Sequence, residues 1–309
     1  MRRMLLLILL LGLIPPARAQ DATPEVQMFS FADLERTYTL HVPPGLAEPA
    51  PVVIILHGRG GTGQQMAVYT GFDELADREG FIALYPDGVE GEWDYVKGVP
   101  GYPDAQDDTA FLVGLVDHLA EDYPVDLSRV YVAGFSNGGF MAERIACENS
   151  PRFAAYASVA ASGFGGMTQI CAQSGQSPIV LIHGTADNNV PWQGLSVTRG
   201  ERTVYVTYPV PETMAYWAEF NGCGSELKTD EVPESGDSPG TGVRILTVTC
   251  PPDASVIIYA VLGGGHNWPG RDANFPAQIA GTINRDIDAT EVIWTFFAQH
   301  QRPLSTADS

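Results

Sequence analysis

Apolar residues in this chain gather in short continuous runs, and stretches with helical spacing lie between them. Pro51 to Leu56 is apolar at every position, the pattern of a strand buried on both faces. Phe81 to Tyr85, Val130 to Phe135, Phe153 to Ala161, Pro178 to Ile182, Val243 to Cys250 and Val256 to Val261 read as further strands. Arg36 to Val42 alternates enough to be an early strand, ended by Pro43-Pro44-Gly45. Helical stretches are expected after Gly63 to about Glu79, from Gly138 to Cys147, from Glu212 to Phe220 and from Asp288 to His300. Another starts with Asp107 or Asp108 as cap, because Phe111, Leu112, Leu115, Val116 and Leu119 share one helical face. Strands alternating with helices predict an α/β fold: one domain with a mostly parallel central sheet and helices on both faces.

The first residues read differently. Arg2-Arg3, the apolar stretch Met4 to Ile14, the break at Pro15-Pro16 and the small-x-small triplet Ala17-Arg18-Ala19 form a signal-peptide pattern. Residues 1–19 are therefore expected to be removed, leaving a catalytic domain over 20–301 and a loose tail over 302–309. Eleven apolar residues are too few to span a bilayer. The expectation is a secreted or periplasmic protein with no stable membrane association after cleavage. The formal net charge of −20 becomes still more negative once Arg2, Arg3 and Arg18 leave. Such a surface repels nucleic acid and anionic membranes.

Four cysteines in an exported chain imply two disulfides with three possible connectivities. Neighbour pairing, Cys147 with Cys171 and Cys223 with Cys250, is the expected one. There is no C-x-x-C and no paired H-x₃-H, so no metal site is expected.

The chemistry centres on Gly134-Phe-Ser136-Asn137-Gly138, which directly follows an apolar strand and precedes a helix. That strand–turn–helix context is what a nucleophile elbow requires. Gly236-Asp-Ser238-Pro-Gly240 fits the same expression, but no strand precedes it and Pro239 spoils a helix start, so Ser238 reads as a loop serine. A serine nucleophile needs a base, and the base needs an orienting acid. Asp187 stands at the exit of the Pro178–Ile182 strand, and His266 follows the Val256–Val261 strand within Gly263-Gly-Gly-His266-Asn-Trp-Pro. Both places suit the serine–acid–histidine order of α/β-hydrolases.

The backbone N–H of Asn137 and one from His57-Gly58-Arg59-Gly60-Gly61, first Arg59 and then Gly60, are the candidate oxyanion donors. Both would act through the backbone, so alanine substitution of either is expected to matter less than the side chains suggest. Trp93, Trp192 and Trp268 sit in loops near strand ends and are candidate substrate contacts. His183 reads as a buried strand histidine and His57 as a support for its loop; His41, His118 and His300 fall on an early strand or on helices. The chemistry needs no cofactor.

Taken together, His57-Gly-x-Gly-Gly, Tyr85-Pro-Asp-Gly, Gly-Phe-Ser136-Asn-Gly-Gly, His183-Gly-Thr-Ala-Asp187 and Gly-Gly-Gly-His266-Asn-Trp-Pro-Gly resemble the extracellular polyhydroxybutyrate depolymerase and feruloyl esterase family. The resemblance covers roughly Thr37 to His300. It implies an α/β-hydrolase fold, carboxylic ester hydrolysis and a triad of Ser136, Asp187 and His266. Members that attack solid polyester usually append a polymer-binding domain, and none is seen after Gln301. Weight therefore shifts to short or soluble esters: feruloyl or acetyl groups on plant polysaccharide, or hydroxyalkanoate oligomers.

Rival readings are an acetylxylan esterase or serine peptidase on the same fold, a silent hydrolase, and a dinucleotide-binding oxidoreductase. The last rests on Gly58-Arg-Gly60-Gly-Thr-Gly63, but the long lead-in and Asp87 lying beyond Pro86 count against it.

Overall fold

The computed structural model describes residues 25–46, 48–102, 106–148, 152–172, 175–199 and 202–304. The expected signal segment lies outside them, as does most of the expected tail. Arg302 is tied down, its N–H donating to Ser128 O at 3.0 Å.

Among the described residues the strands are β1 Val26–Phe31, β2 Leu34–His41, β3 Ala50–Leu56, β4 Ile82–Pro86, β5 Val125–Phe135 and β6 Ala155–Val159. They continue with β7 Ile179–Gly184, β8 Leu195–Arg199, β9 Arg202–Thr207, β10 Leu227–Val232, β11 Gly242–Val248 and β12 Val256–Leu262. The helices are α1 Gly63–Thr70, α2 Phe72–Glu79, α3 Asp108–Asp122, α4 Asn137–Cys147, α5 Met167–Ile170, α6 Val210–Phe220, α7 Ala277–Ala280 and α8 Ala289–Phe297.

Ten strands form one sheet in the order β1-β2-β4-β3-β5-β6-β7-β12-β11-β10. Its centre, from β4 through β12, is parallel, and the two flanks pair antiparallel. Burial on both faces follows from the period of two. Val52 and Ile54 pack with α3, α4 and α6 through Leu115, Ile145 and Trp217. Val53 and Ile55 point the other way, to Phe72 of α2 and Ile293 and Phe297 of α8. This is the α/β-hydrolase fold.

The chain leaves β3 for β4 on one side and then crosses to β5 on the other, so the sheet order reverses between β3 and β5. Ligand crevices in open α/β sheets form at such a point, outside the carboxyl ends of the strands. The segments that carry Arg59, Ser136, Asp187 and His266 leave the ends of β3, β5, β7 and β12. Two disulfides are formed, Cys147–Cys171 and Cys223–Cys250. The first ties the last residue of α4 to the residue after α5.

Candidate active site

Ser136 sits between β5 and α4 with φ 53° and ψ −115°, a conformation that strains any residue with a β-carbon. Its surroundings compel it. The Ser136 N–H donates to Val159 O at 2.8 Å, and the glycines on either side permit contacts no side chain allows. A β-carbon on Gly134 would stand 2.0 Å from Gly138 O, and one on Gly138 would stand 2.4 Å from Leu56 O. Strand, turn and helix thus close on each other, and the serine hydroxyl is left at the tip.

Asp187 and His266 come from the ends of adjacent parallel strands, β7 and β12. Their loops are stitched together: Ala186 N–H donates to Gly264 O (2.9 Å), and Gly263 N–H donates to Thr185 Oγ1 (2.9 Å). Gly184 must be glycine, since a β-carbon there would lie 2.4 Å from Gly264 O.

The three side chains meet. His266 Nε2 is 3.0 Å from Ser136 Oγ, and His266 Nδ1 is 2.7 Å from Asp187 Oδ2. The other carboxylate oxygen, Oδ1, accepts the N–H groups of Asn189 (2.8 Å) and Val190 (2.9 Å). Burial pushes the Asp187 pKa up, but the bond to His266, the charges of His266 and His183 and the Val190 N–H outweigh it and hold the carboxyl below the ordinary aspartate value. An ionised Asp187 keeps the proton on Nδ1, which leaves Nε2 free to accept from the serine hydroxyl. His183 lies behind this pair, buried between Ala161 O (3.0 Å) and Val190 O (2.8 Å). Burial lowers its pKa, against the pull of Asp187.

Of the candidate oxyanion donors, Gly60 is occupied, its N–H donating to Gly91 O at 2.8 Å. Among the described residues the N–H groups of Arg59 and Asn137 have no acceptor, and both residues line the cleft that holds Ser136 and His266. That cleft has a volume of about 660 Å³, and Tyr69, Tyr95, Phe135, Phe140, Phe275 and Ile279 form its apolar walls. Arg59 is the charged side chain among the lining residues. No cluster of three or more His, Cys, Asp or Glu suited to a metal ion occurs among the described residues.

The three tryptophans do not line this cleft. Trp268 is fully buried, its indole N–H donating to Thr290 Oγ1 at 3.0 Å and its backbone N–H to Tyr69 OH at 2.8 Å. Trp93 is 2% exposed, its indole N–H donating to His57 O. Trp192 is half-buried and packs on the His183 ring, with centroids 6.0 Å apart. Large rings beside strand ends serve here as packing, and in Trp93 and Trp268 the indole N–H is also satisfied.

The Asn137 side chain, to which the sequence assigned no part, is buried and its Oδ1 accepts Trp93 N–H at 2.7 Å. Ser238 is a loop serine whose Oγ accepts Arg285 N–H at 2.6 Å. The walls Tyr69, Phe275 and Ile279 went unseen in the sequence; of these, Phe275 alone carries a local signal, as an aromatic before Pro276 in the loop after His266.

The model of a family described as Esterase PHB depolymerase matches residues 36–196. The chain belongs to this PHB depolymerase esterase family. It is a carboxylic ester hydrolase. A relative named as an esterase, NocK of Nocardia uniformis subsp. tsuyamanensis, is 31% identical over 89% of this chain and 83% of its own. Feruloyl esterase B of Piromyces equi is 28% identical over 70% of this chain, which spans only 39% of that longer protein. Among solved structures, an acetyl xylan esterase from Aspergillus awamori superposes with a TM-score of 0.55 at 20% identity, over 79% of this chain and 94% of that one. This last likeness bears on the fold alone.

Proposed function

We propose that this PHB depolymerase family esterase is an exported serine hydrolase that cleaves soluble carboxylic esters, those with an aromatic acyl group foremost, through an acyl-enzyme on Ser136. The observation that carries the reading is the continuous bond path Ser136 Oγ–His266–Asp187, at 3.0 and 2.7 Å. His266 takes the serine proton as Oγ attacks the ester carbonyl, while Asp187 fixes the imidazole tautomer and offsets its charge. The carbonyl oxygen becomes an oxyanion facing the Arg59 and Asn137 N–H groups. Collapse breaks the ester C–O bond and releases the alcohol, which takes its proton from His266. Water then repeats the steps on the acyl-enzyme and frees the acid.

The cleft walls support the choice of substrate class. Phe275 stands 5.8 Å from Tyr69 and 5.9 Å from Phe135, ring to ring, giving an apolar, aromatic surface beside the nucleophile. A flat aryl acid such as ferulate gains both burial and ring contact there, and a relative bearing the name feruloyl esterase B supports the same choice. Acetylated polysaccharide and hydroxybutyrate oligomers are the competing substrates. The signal-peptide pattern and the two disulfides support export.

Methyl ferulate, acetylated xylan and hydroxybutyrate oligomers assayed side by side, with Ser136→Ala and Ser238→Ala, test both parts. The expected result is highest kcat/KM on methyl ferulate, abolished by Ser136→Ala and untouched by Ser238→Ala. Preference for acetylated xylan or the oligomers would displace the aryl-acyl assignment, and turnover by Ser136→Ala would displace the mechanism.

A further inference from the structure

Trp93 lies outside the cleft, yet it is bonded to both segments that carry the oxyanion donors. Its indole N–H donates to His57 O at 3.0 Å, and its ring centroid is 5.0 Å from the His57 ring. Its backbone N–H donates to Asn137 Oδ1 at 2.7 Å, and Asn137 Nδ2 donates back to Trp93 O at 3.4 Å. The same loop makes two more bonds to the β3 end. Gly88 N–H donates to His57 Nε2 at 2.9 Å, and Gly91 O accepts Gly60 N–H at 2.8 Å.

These bonds decide the direction of one peptide. Because His57 Nε2 accepts, the ring proton is on Nδ1, and Nδ1–H donates to Gly58 O at 2.8 Å. Gly61 N–H donates to the same oxygen at 3.0 Å. Gly58 C=O and Arg59 N–H belong to one planar unit and point in opposite directions. Two donors on the oxygen therefore fix where the Arg59 N–H aims. Were that plane to turn over, a carbonyl oxygen would face the cleft in place of an N–H and would repel the developing oxyanion.

We propose that Trp93 is a positioning residue: through His57 on one side and the Asn137 side chain on the other, it holds both oxyanion donors in their working direction without touching substrate. This rests on the assignment of Arg59 and Asn137 as donors under Proposed function. Loosening the brace lowers the fraction of molecules with both N–H groups in place. The loss falls on the transition state and leaves ground-state binding alone.

Trp93→Phe keeps an aromatic ring but removes the indole N–H together with the pyrrole part of the ring; Asn137→Ala cuts the other tie while keeping its own backbone N–H. Both are measured for kcat and KM on p-nitrophenyl acetate, and for affinity toward a boronic acid that becomes tetrahedral on the serine. Removing a whole donor costs about 10²–10³ in kcat, so misaiming one is expected to cost about tenfold. KM should stay within about twofold and boronate affinity should fall by the same factor as kcat. The pH–rate profile should not move, because Asp187 and His266 are untouched. Trp93→Phe turning over within about twofold of the parent enzyme, or a loss that falls on KM alone, overturns the proposal. Should Trp93→Phe fail to fold, Asn137→Ala decides by the same criteria. Ser136→Ala run alongside separates the two claims: if it is silent while Trp93→Phe is fully active, only the brace is wrong; if it still turns over, the site assignment itself falls.

Discussion

The bond between Asp187 and His266 does two things at once, and an isosteric change separates them. Asp187→Asn keeps the shape but places an NH₂ or a neutral oxygen opposite Nδ1, so the tautomer that frees Nε2 is no longer enforced. A drop in kcat of about 10³–10⁴ is expected with little change in KM, as measured by steady-state ester hydrolysis. The sign of the pH effect on stability follows from the lowered pKa of Asp187. Its stabilising contribution is present above the ordinary aspartate value and is lost as pH falls through the folded value. Serine, acid and histidine were legible in the sequence because each stands just past an apolar strand, in a fixed chain order. The roles of Trp93 and the Asn137 side chain were not. They depend on tertiary hydrogen bonds between loops 44 residues apart in the chain, which leave no local pattern.

Among the elements, the elbow is the most constrained. Gly134→Ala would push a methyl group to 2.0 Å from Gly138 O, a backbone contact that no rotamer change relieves. A stability loss of about 3 kcal/mol or more, with loss of turnover, is expected from denaturant unfolding and ester assay. Helix α4 carries a second unusual feature. Glu143 is fully buried, accepting Ser158 Oγ–H at 2.8 Å and Trp217 Nε1–H at 3.3 Å. Burial pushes its pKa up to about 7, against those two hydrogen bonds. The folded protein therefore favours the protonated acid. That stability is fully present below the unfolded value near 4.5 and is lost as pH rises through about 7, an effect of about 3 kcal/mol at its limit. Glu143→Gln should flatten the fall in thermal midpoint between pH 5 and pH 8; an unchanged slope would contradict this origin.

Burial also explains which elements could be read in advance. Strands β3, β4, β6 and β7 are buried along their whole length and show as apolar runs. Strand β10, Leu227–Val232, is exposed at five of six positions and reads as polar surface chain. Strand β1 lies at the other edge of the sheet and alternates exposed with half-buried positions, and the hairpin β8–β9 stands apart from the main sheet. All four were missed for the same reason: an edge strand takes its identity from one partner's hydrogen bonds, not from a core on both faces.

Over the whole molecule, the two disulfides involve none of the residues that line the cleft. Each closes a loop of similar length, spanning 24 and 27 positions, worth about 3.5 kcal/mol in the chain-entropy model. Replacing Cys147 and Cys171 together by alanine is expected to lower unfolding free energy by about that amount, read from denaturant midpoints, while the folded fraction keeps its turnover. The parallel centre of the sheet and the meeting of strand-end loops at one rim were foreseeable from element order; the reversal between β3 and β5 shows only in the strand order of the folded sheet. The aromatic walls were not, since Tyr69 comes from α1 and Phe275 from the segment after His266, and only the assembled sheet brings them to one cleft.

The central claim is that Ser136 is the nucleophile and that His266 activates it. A fluorophosphonate probe, followed by peptide mapping, measures this directly. The expected result is one adduct per chain on the peptide containing Ser136, absent in Ser136→Ala and strongly slowed in His266→Ala. Full labelling of Ser136→Ala, or a dominant adduct on Ser238 or any other side chain, would contradict it.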